Sequence, residues 1–594
     1  MKINNIFVAT ALVSIISGCT TMDQYPEDSV SPEMYFQTEI QLRQNTNNFY
    51  RMLAPSAGKF NWYEENSELL IKDTPTTELL GSRSIPSNGS DDGWGWGQLR
   101  HINYFLQNSY KCADVDARNR YDGVAYFFRA LFYANRLVMF GEVPLYDTPI
   151  GSADTELLMK PRDSRDAVIN HILEDCDRAF ERLPKEHMLT DVNAWTALAL
   201  KSRIALFEGT FRKYHDGDPF NPDHLPWEPL LRTCAEASKK LITEGGYKLY
   251  KNGSESYRDM FMNPMGDTDE YIWARIGTTV GGIMHEATNN SISEGYAYTK
   301  RFMNLFLKKD GTRFTDDPNW RTMNYYEECQ NRDPRLAQIV LCPGYKQKGD
   351  TEETIMNFSN TKGAYQYIKY VGDASEFSFR SSKAALPIFR IAEIYLNYAE
   401  ALAELGTLTQ TDLDLSVNKL RERAGMPDLK MDDANHNPDS YMMSEEWGYP
   451  NVTRSANTGV ILEIRRERLI ELSLELVHYN DILRWKEGKV YEKPFYGMYF
   501  PGSGKYDING DGQNDIWLYE GRKPNDRKLK LFQIGKDIIL SEGSKGFAVR
   551  CSIKAHERHW DENKDYLYPI PTTERILTNG SLTQNPGWDD KLEF

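Results

Sequence analysis

Residues 387–406 read PIFRIAEIYLNYAEALAELG, and the spacing of the apolar side chains in this stretch decides the fold class. Ile391, Ile394, Tyr395, Tyr398, Ala399 and Leu402 recur at the intervals that fall on one face of an α-helix. Gly406 stands just past them, where a helix stop belongs. The pattern repeats upstream. Val124, Phe128, Leu131, Phe132, Asn135 and Val138 follow helical spacing up to Gly141, with Pro144 beyond. Ser164 is placed to cap a helix carrying Val168, Ile172, Cys176, Ala179 and Leu183 before Pro184. Residues 194–208 are rich in Ala and Leu and are predicted to stop at Gly209, and 230–242 repeat the pattern up to Gly245 and Gly246. Helices of this length, joined by short turns and rich in small residues at packing positions, predict a mainly α fold of antiparallel pairs of the tetratricopeptide type. The repeats diverge too far to give a strict period.

A second helical block covers about 387–425 and 459–487. Between the blocks, about 250–385 is a loop-rich stretch with Gly, Asn, Tyr and Trp and little periodicity, and 490–560 is another. In 461–485 the residues Arg465, Arg466, Glu467, Arg468 and Glu471 have the spacings of i,i+3 and i,i+4 ion pairs, a pattern that usually decorates a solvated helix face.

The 594 residues are too many for one compact core unless the architecture is elongated. A net charge of −16 and a pI near 5.3 argue against a nucleic-acid ligand, because phosphate binding relies on clustered Lys and Arg. Lys2 and the apolar run from Ile6 to Ile16, followed by Ser17, Gly18 and Cys19, read as a cleaved export signal too short to span a bilayer as a lasting helix. The tetrad ending at Cys19 resembles the bacterial lipobox, in which the cysteine is acylated, with palmitate among the acyl chains, and becomes the first residue of the mature chain. Two or more acyl chains hold a protein on a membrane stably, so the expectation is a lipid-anchored surface protein with residues 19–35 as tether. The other six cysteines, at 112, 176, 234, 329, 342 and 551, contain no CxxC pair and are scattered too widely for a disulfide framework or zinc site.

Four further stretches carry a family resemblance. FFRALFYANRLVMFGEVPLY (127–146) is similar to the helix and GxVPL segment of SusD/RagB proteins, glycan-binding outer-membrane lipoproteins of Bacteroidetes. PIFRIAEIYLNYAEALAELG with VNKLRERAGMP (417–427) resembles the family's central helix pair, and ILEIRRERLIELSLELVHYNDILRW (461–485) its Arg/Glu-rich helix ending in D-x-x-R-W. YLYPIPTTERILTNGSLTQNPGW (566–588) is similar to its terminal signature. The sequence departs from the family at Ser473 and at Val477 and His478, where a more aromatic, Gly- and Arg-containing stretch is usual; the change concerns helix packing. The resemblance implies a superhelical scaffold of four tetratricopeptide-like helix pairs with a loop-rich region that holds glycan. It also implies a role as lid over a SusC-like TonB-dependent outer-membrane transporter, with no catalytic step and no organic cofactor. The implied division is a signal at 1–18, a lipidated tether at 19–35, an N-terminal helical region at 36–245, a loop-rich insertion at 246–386 and a C-terminal region at 387–594.

Binding sugar without chemistry needs flat aromatic faces framed by polar groups for the hydroxyls. The run Asp91, Asp92, Gly93, Trp94, Gly95, Trp96, Gly97 offers two indoles beside carboxylates, so Asp92, Trp94 and Trp96 are candidates, Trp94 the better of the two indoles. Trp96 lies three residues before Leu99 and seven before Asn103 and can point into the following helix instead. Tyr296, Tyr298 and Trp320 are candidates to complete an aromatic arc, with Trp62 and Tyr63 weaker. For each the competing reading is ordinary packing, because large aromatics are usually largely buried. Asp507, Asn509, Asp511, Gln513 and Asp515, with Gly512 at the sixth position, match the first part of a calcium loop; the twelfth position is Leu518 instead of Glu, which leaves a structural calcium turn or a solvated Asn/Gly/Asp turn. The alternatives to glycan capture are a surface glycoside hydrolase, which needs two carboxylates across a cleft, and a helical-repeat adhesin or scaffold that binds protein.

Overall fold

The computed structural model describes residues 35–53, 64–89, 93–277, 284–551 and 555–594. Cys19, Trp62, Tyr63 and Asp92 lie outside the described residues. The periodic segments form α1 (Gly97–Asn108), α2 (Val115–Phe140), α3 (Arg165–Arg182), α4 (Ala194–Tyr214), α5 (Glu228–Glu244), α6 (Ile391–Leu405), α7 (Val417–Ala424), α8 (Thr458–Glu471), α9 (His478–Trp485) and α10 (Thr572–Leu577). Successive helices pack on one another, α2 on α3, α3 on α4, α4 on α5, α5 on α6 and α6 on α8, so the expected mainly α, tetratricopeptide-like scaffold is present. Local chemistry sets its ends. Asp114 accepts the amides of Asp116 and Ala117 at the start of α2, and Ser164 accepts that of Ala167 at the start of α3. Gly406 ends α6 at φ 75°, a conformation a Cβ would strain.

Gly209 does not stop a helix. It lies inside α4, and a Cβ there would stand 2.7 Å from a Leu231 methyl, so the glycine exists to let α5 approach. The stretch 461–485 is likewise two helices, broken between Glu471 and His478 where Leu474 and Leu476 take left-handed φ values of 60° and 64°.

The charged face of α8 is not solvated. Every residue from Thr458 to Glu471 is buried. Glu471 accepts from Arg390 at 2.7 Å and Arg335 at 3.2 Å, and also from Arg423; Glu467 accepts from Arg421 at 2.6 Å and Arg335 at 2.9 Å; Glu475 accepts from Arg390 at 2.6 Å and Lys369 at 2.7 Å. Burial by itself would raise the Glu471 carboxyl. The guanidiniums of Arg423, Arg390 and Arg335 outweigh that and hold it far below the carboxylate range. The partners come from separate segments, so the network ties the loop-rich region to the scaffold. The D-x-x-R-W motif works in the same way: Asp481 accepts from Arg468 and Arg484, while Arg484 and the Trp485 indole both donate to Glu400 on α6.

The loop-rich stretches carry small sheets. Strand β1 (Tyr271–Arg275) pairs antiparallel with β2 (Leu386–Arg390), which runs into α6. Strands β3 (Gly504–Tyr506), β4 (Ile516–Tyr519) and β5 (Lys530–Gln533) form a sheet in which β3–β4 is antiparallel and β4–β5 parallel. Among the described residues no helix is long and apolar enough to cross a membrane.

Candidate functional site

The GEVPLY turn after α2 places the first wall of a pocket. Val143 is fully buried and pairs with Asp163, the Leu145 amide donates to the Asp163 carboxylate at 2.7 Å, and the Tyr146 amide donates to the Tyr133 hydroxyl at 2.7 Å. These bonds fix Tyr146, whose hydroxyl donates to the Leu157 carbonyl at 3.2 Å. Burial, with the Asp163 carboxylate, pushes its phenol up to about 12, so it is neutral at ordinary pH.

The Trp94 and Trp96 loop supplies the second wall. Arg136 on α2 donates to the Gly95 carbonyl at 2.6 Å and holds the loop down. Trp96 sits at the mouth of α1, half-buried, with ring centroids 5.5 Å from Tyr146 and 5.4 Å from Trp94. Trp94 is 2% exposed, edge-on to Phe140 at 4.9 Å. The third wall is the chain's terminal signature. Thr572 and Thr573 donate backbone amides to the Pro86 and Ser87 carbonyls, and Asn585 donates to the Phe140 carbonyl at 3.0 Å. This sets Glu574 and Thr578 opposite the indoles.

The resulting cavity, about 330 Å³, is lined by Trp94, Trp96, Arg100, Tyr146, Leu158 and Glu574 together with smaller residues. A more open groove of about 460 Å³, lined by Arg100, His101, Tyr104, Gln107 and Asp154, adjoins it, and Arg100 and Gly151 border both. The arrangement is that of a small-ligand site: aromatic walls, with a few polar groups at the rim to set orientation. Asn103 is spent on structure, its amide bonded to the Tyr146 and Thr148 carbonyls.

Only part of the predicted aromatic set gathers here. Trp96 lines the cavity half-buried, whereas Trp94, the expected better platform, lies beneath it, packed edge-on against Trp96 and Phe140. Tyr298 is 1% exposed, stacked on Phe302 at 3.9 Å and bonded to Ser473, a core position. Tyr296 is buried, its hydroxyl donating to Glu65 and accepting from Lys72 at 2.9 Å. Trp320 is buried edge-on to Trp447 at 5.2 Å and Tyr441 at 5.7 Å. The expected exposed arc of Tyr296, Tyr298 and Trp320 is thus corrected by burial. Arg100, Tyr146, Leu158 and Glu574 escaped the sequence reading. The 96, 100, 103 helical spacing held the signal for Arg100; the other three reach the site only through tertiary packing.

The Asp507–Asp515 stretch is the turn between β3 and β4. Asp507 accepts the amides of Gly510 at 2.6 Å and Gly512 at 2.7 Å, and Asp515 accepts that of Ile508 at 2.8 Å. Burial, then the Asp507 and Asp511 charges, raise the Asp515 carboxyl. Among the described residues no group of three or more His, Cys, Asp or Glu is gathered as a metal centre.

The fold and pocket define a helical-repeat protein of tetratricopeptide-like architecture that carries a loop-borne, aromatic-walled cavity. Residues 244–588 match the SusD family model, SusD_RagB, and the chain belongs to that family. It is 22% identical to the SusD-like protein P2 of Formosa agariphila over 610 aligned residues, covering 99% of this chain and 100% of the relative. Among solved structures it is similar to a SusD-like protein from Bacteroides fragilis at a TM-score of 0.68 and 19% identity, covering 95% of this chain and 100% of the other. It is also similar to a SusD-like carbohydrate binding protein from the same organism at a TM-score of 0.65 and 17% identity, covering 91% and 98%.

Proposed function

We propose that this protein is a surface glycan-binding lipoprotein, anchored through acylated Cys19 to the outer membrane, that captures oligo- or polysaccharide and delivers it to a SusC-like TonB-dependent transporter without a catalytic step. The observation that carries the reading is the cavity walled by Trp96 and Tyr146 and edged by Arg100 and Glu574, continuous with the groove along α1. A pyranose presents a C–H face to an indole and hydroxyls to a guanidinium or carboxylate, and this site offers both. The membership in the SusD family and the likeness to a SusD-like carbohydrate binding protein support it. Affinity electrophoresis against a polysaccharide panel tests ligand capture, and co-purification of a large β-barrel partner after gentle detergent extraction tests the transporter. Release of reducing sugar by the pure protein, lost on a single Asp or Glu substitution, would favour a glycoside hydrolase instead.

We propose also that the 507–515 turn takes a structural calcium ion. A calcium loop carries a glycine at the sixth position for its sharp turn, and Gly512 stands there with a left-handed φ of 85° and its amide bonded to Asp507. Asp507, Asn509, Asp511, Gln513 and Asp515 would supply oxygen ligands, and a cation would relieve the repulsion at Asp515. Calcorimetric titration with Ca²⁺ should show one site, lost in Asp507→Asn; no heat and no change in Tm with Ca²⁺ would contradict it.

A further inference from the structure

The cavity beside Trp96 is more apolar inside than an unsubstituted sugar requires. Besides its aromatic rings it is lined by Leu99, Pro144, Ile150, Leu158 and Leu582. Leu99, Pro144 and Leu582 are buried, and Ile150 is half-buried. Leu158 is 44% exposed, at the end of the short helix Thr155–Leu158, in which no residue is buried. A leucine left that open at a cavity gains from a ligand that covers it with apolar surface. The polar side chains of the lining, in contrast, are largely turned to the protein. Asn103 is engaged at both ends, its amide donating to the Tyr146 and Thr148 carbonyls at 2.7 and 3.3 Å and its oxygen accepting from Arg129 at 3.3 Å. The Tyr146 hydroxyl donates to the Leu157 carbonyl at 3.2 Å, and the Thr578 hydroxyl to the Glu574 carbonyl at 2.8 Å. The groups left to meet a ligand's hydroxyls include Arg100, Ser152 and Glu574, exposed or half-buried at the rim. A hydroxyl pushed past that rim exchanges water for aliphatic carbon and goes without a partner.

We propose that the glycan unit seated in this cavity carries an apolar substituent, a methyl group borne either on C5 of a 6-deoxyhexose or by an O-acetyl ester. The methyl packs on the aliphatic lining around Leu158 and Ile150, while the remaining hydroxyls of the sugar face Arg100 and Glu574. The inference rests on the glycan-capture reading above and narrows the class of glycan it concerns. The lining selects in two ways. Burying the methyl is favourable, and the parent sugar with a hydroxyl at the same place loses its water without gaining a bond. An apolar pocket discriminates by about 10- to 200-fold over one methylene and by about 100-fold against an added hydroxyl, so the substituted glycan should bind at least about tenfold more tightly than its unsubstituted counterpart.

The test is isothermal titration of the detergent-extracted full-length protein against three groups of polysaccharide. Fucosylated xyloglucan and rhamnogalacturonan I carry 6-deoxyhexoses, O-acetylated glucomannan and O-acetylated xylan carry esters, and amylose, dextran and unacetylated mannan carry neither. The expected result is binding in the first or second group at least about tenfold tighter than any in the third. Tightest binding in the third group overturns the proposal and leaves glycan capture standing; binding in none overturns glycan capture and the proposal with it. Matched treatment separates the two sources of methyl. Mild alkali should abolish the preference for an acetylated glycan, and fucosidase that for xyloglucan; binding unchanged by removal of the methyl-bearing group overturns the proposal. In Leu158→Asn, shown to be folded by circular dichroism, the ratio of affinities for the treated and untreated glycan should fall below about threefold, and an unchanged ratio overturns the proposal.

Discussion

Glu471 shows how much one side chain holds in this fold. Its carboxylate neutralises three guanidiniums that arrive from three different segments, all of them buried. Removing one partner from a buried ion network leaves the others uncompensated, at a cost of about 3–5 kcal/mol. Glu471→Ala should lower unfolding stability by that amount in urea titrations, and a loss below about 1 kcal/mol would show that the network is not the tie proposed here. At the same scale the proposed sugar site depends on which aromatics the packing leaves accessible. Trp96 is half-buried and Tyr298 is 1% exposed, although both were candidates in the sequence, because a single residue's surroundings are set by the elements packed over it and not by its neighbours in the chain.

At the scale of elements, α6 and α9 are joined through Glu400. Burial acts to raise this carboxyl, but the charges of Arg484 and Arg468 and the Trp485 indole bring it down to about 2, against 4.5 for the free group. Between those values the unfolded chain binds the proton that the folded chain refuses, so this contribution is full above about pH 4.5 and is lost as pH falls to about 2. The shift corresponds to roughly 3 kcal/mol. Unfolding free energies measured across this acid range should fall more steeply for the wild type than for Glu400→Gln; parallel slopes would contradict the assignment. Elements with one apolar stripe were legible in the sequence: α2, α3, α5 and α6 announce themselves by period and by their caps. Helix α8 was legible as a helix but its burial was not, because alternating charge reads as a solvated face until Arg335, Arg390, Arg421 and Arg423 are seen to converge on it. Gly209 misled for a related reason, since a glycine that admits a neighbouring helix is spelled like one that ends its own. The pocket was half-legible. Trp96 and Arg100 share a helical spacing, whereas Tyr146 and Glu574 come from segments that only the closed fold brings alongside.

For the whole molecule, the terminal signature closes the chain onto the end of α2 and builds the third wall of the cavity, so the proposed capture of ligand depends on the complete scaffold. The proposed lipid anchor is a separate device. A Cys19→Ala form should stay soluble and bind glycan with unchanged affinity yet fail to restore growth on that glycan in a strain lacking the native protein; full growth would show that tethering is dispensable. The most direct test of glycan capture is isothermal titration of the purified protein and its Trp96→Ala and Arg100→Ala variants against a polysaccharide panel. The account predicts that at least one glycan binds the wild type and that each variant, shown to be folded by circular dichroism, binds it at least about tenfold more weakly, the equivalent of about 1.4 kcal/mol. Binding to no glycan, or equal binding by both variants, would contradict it.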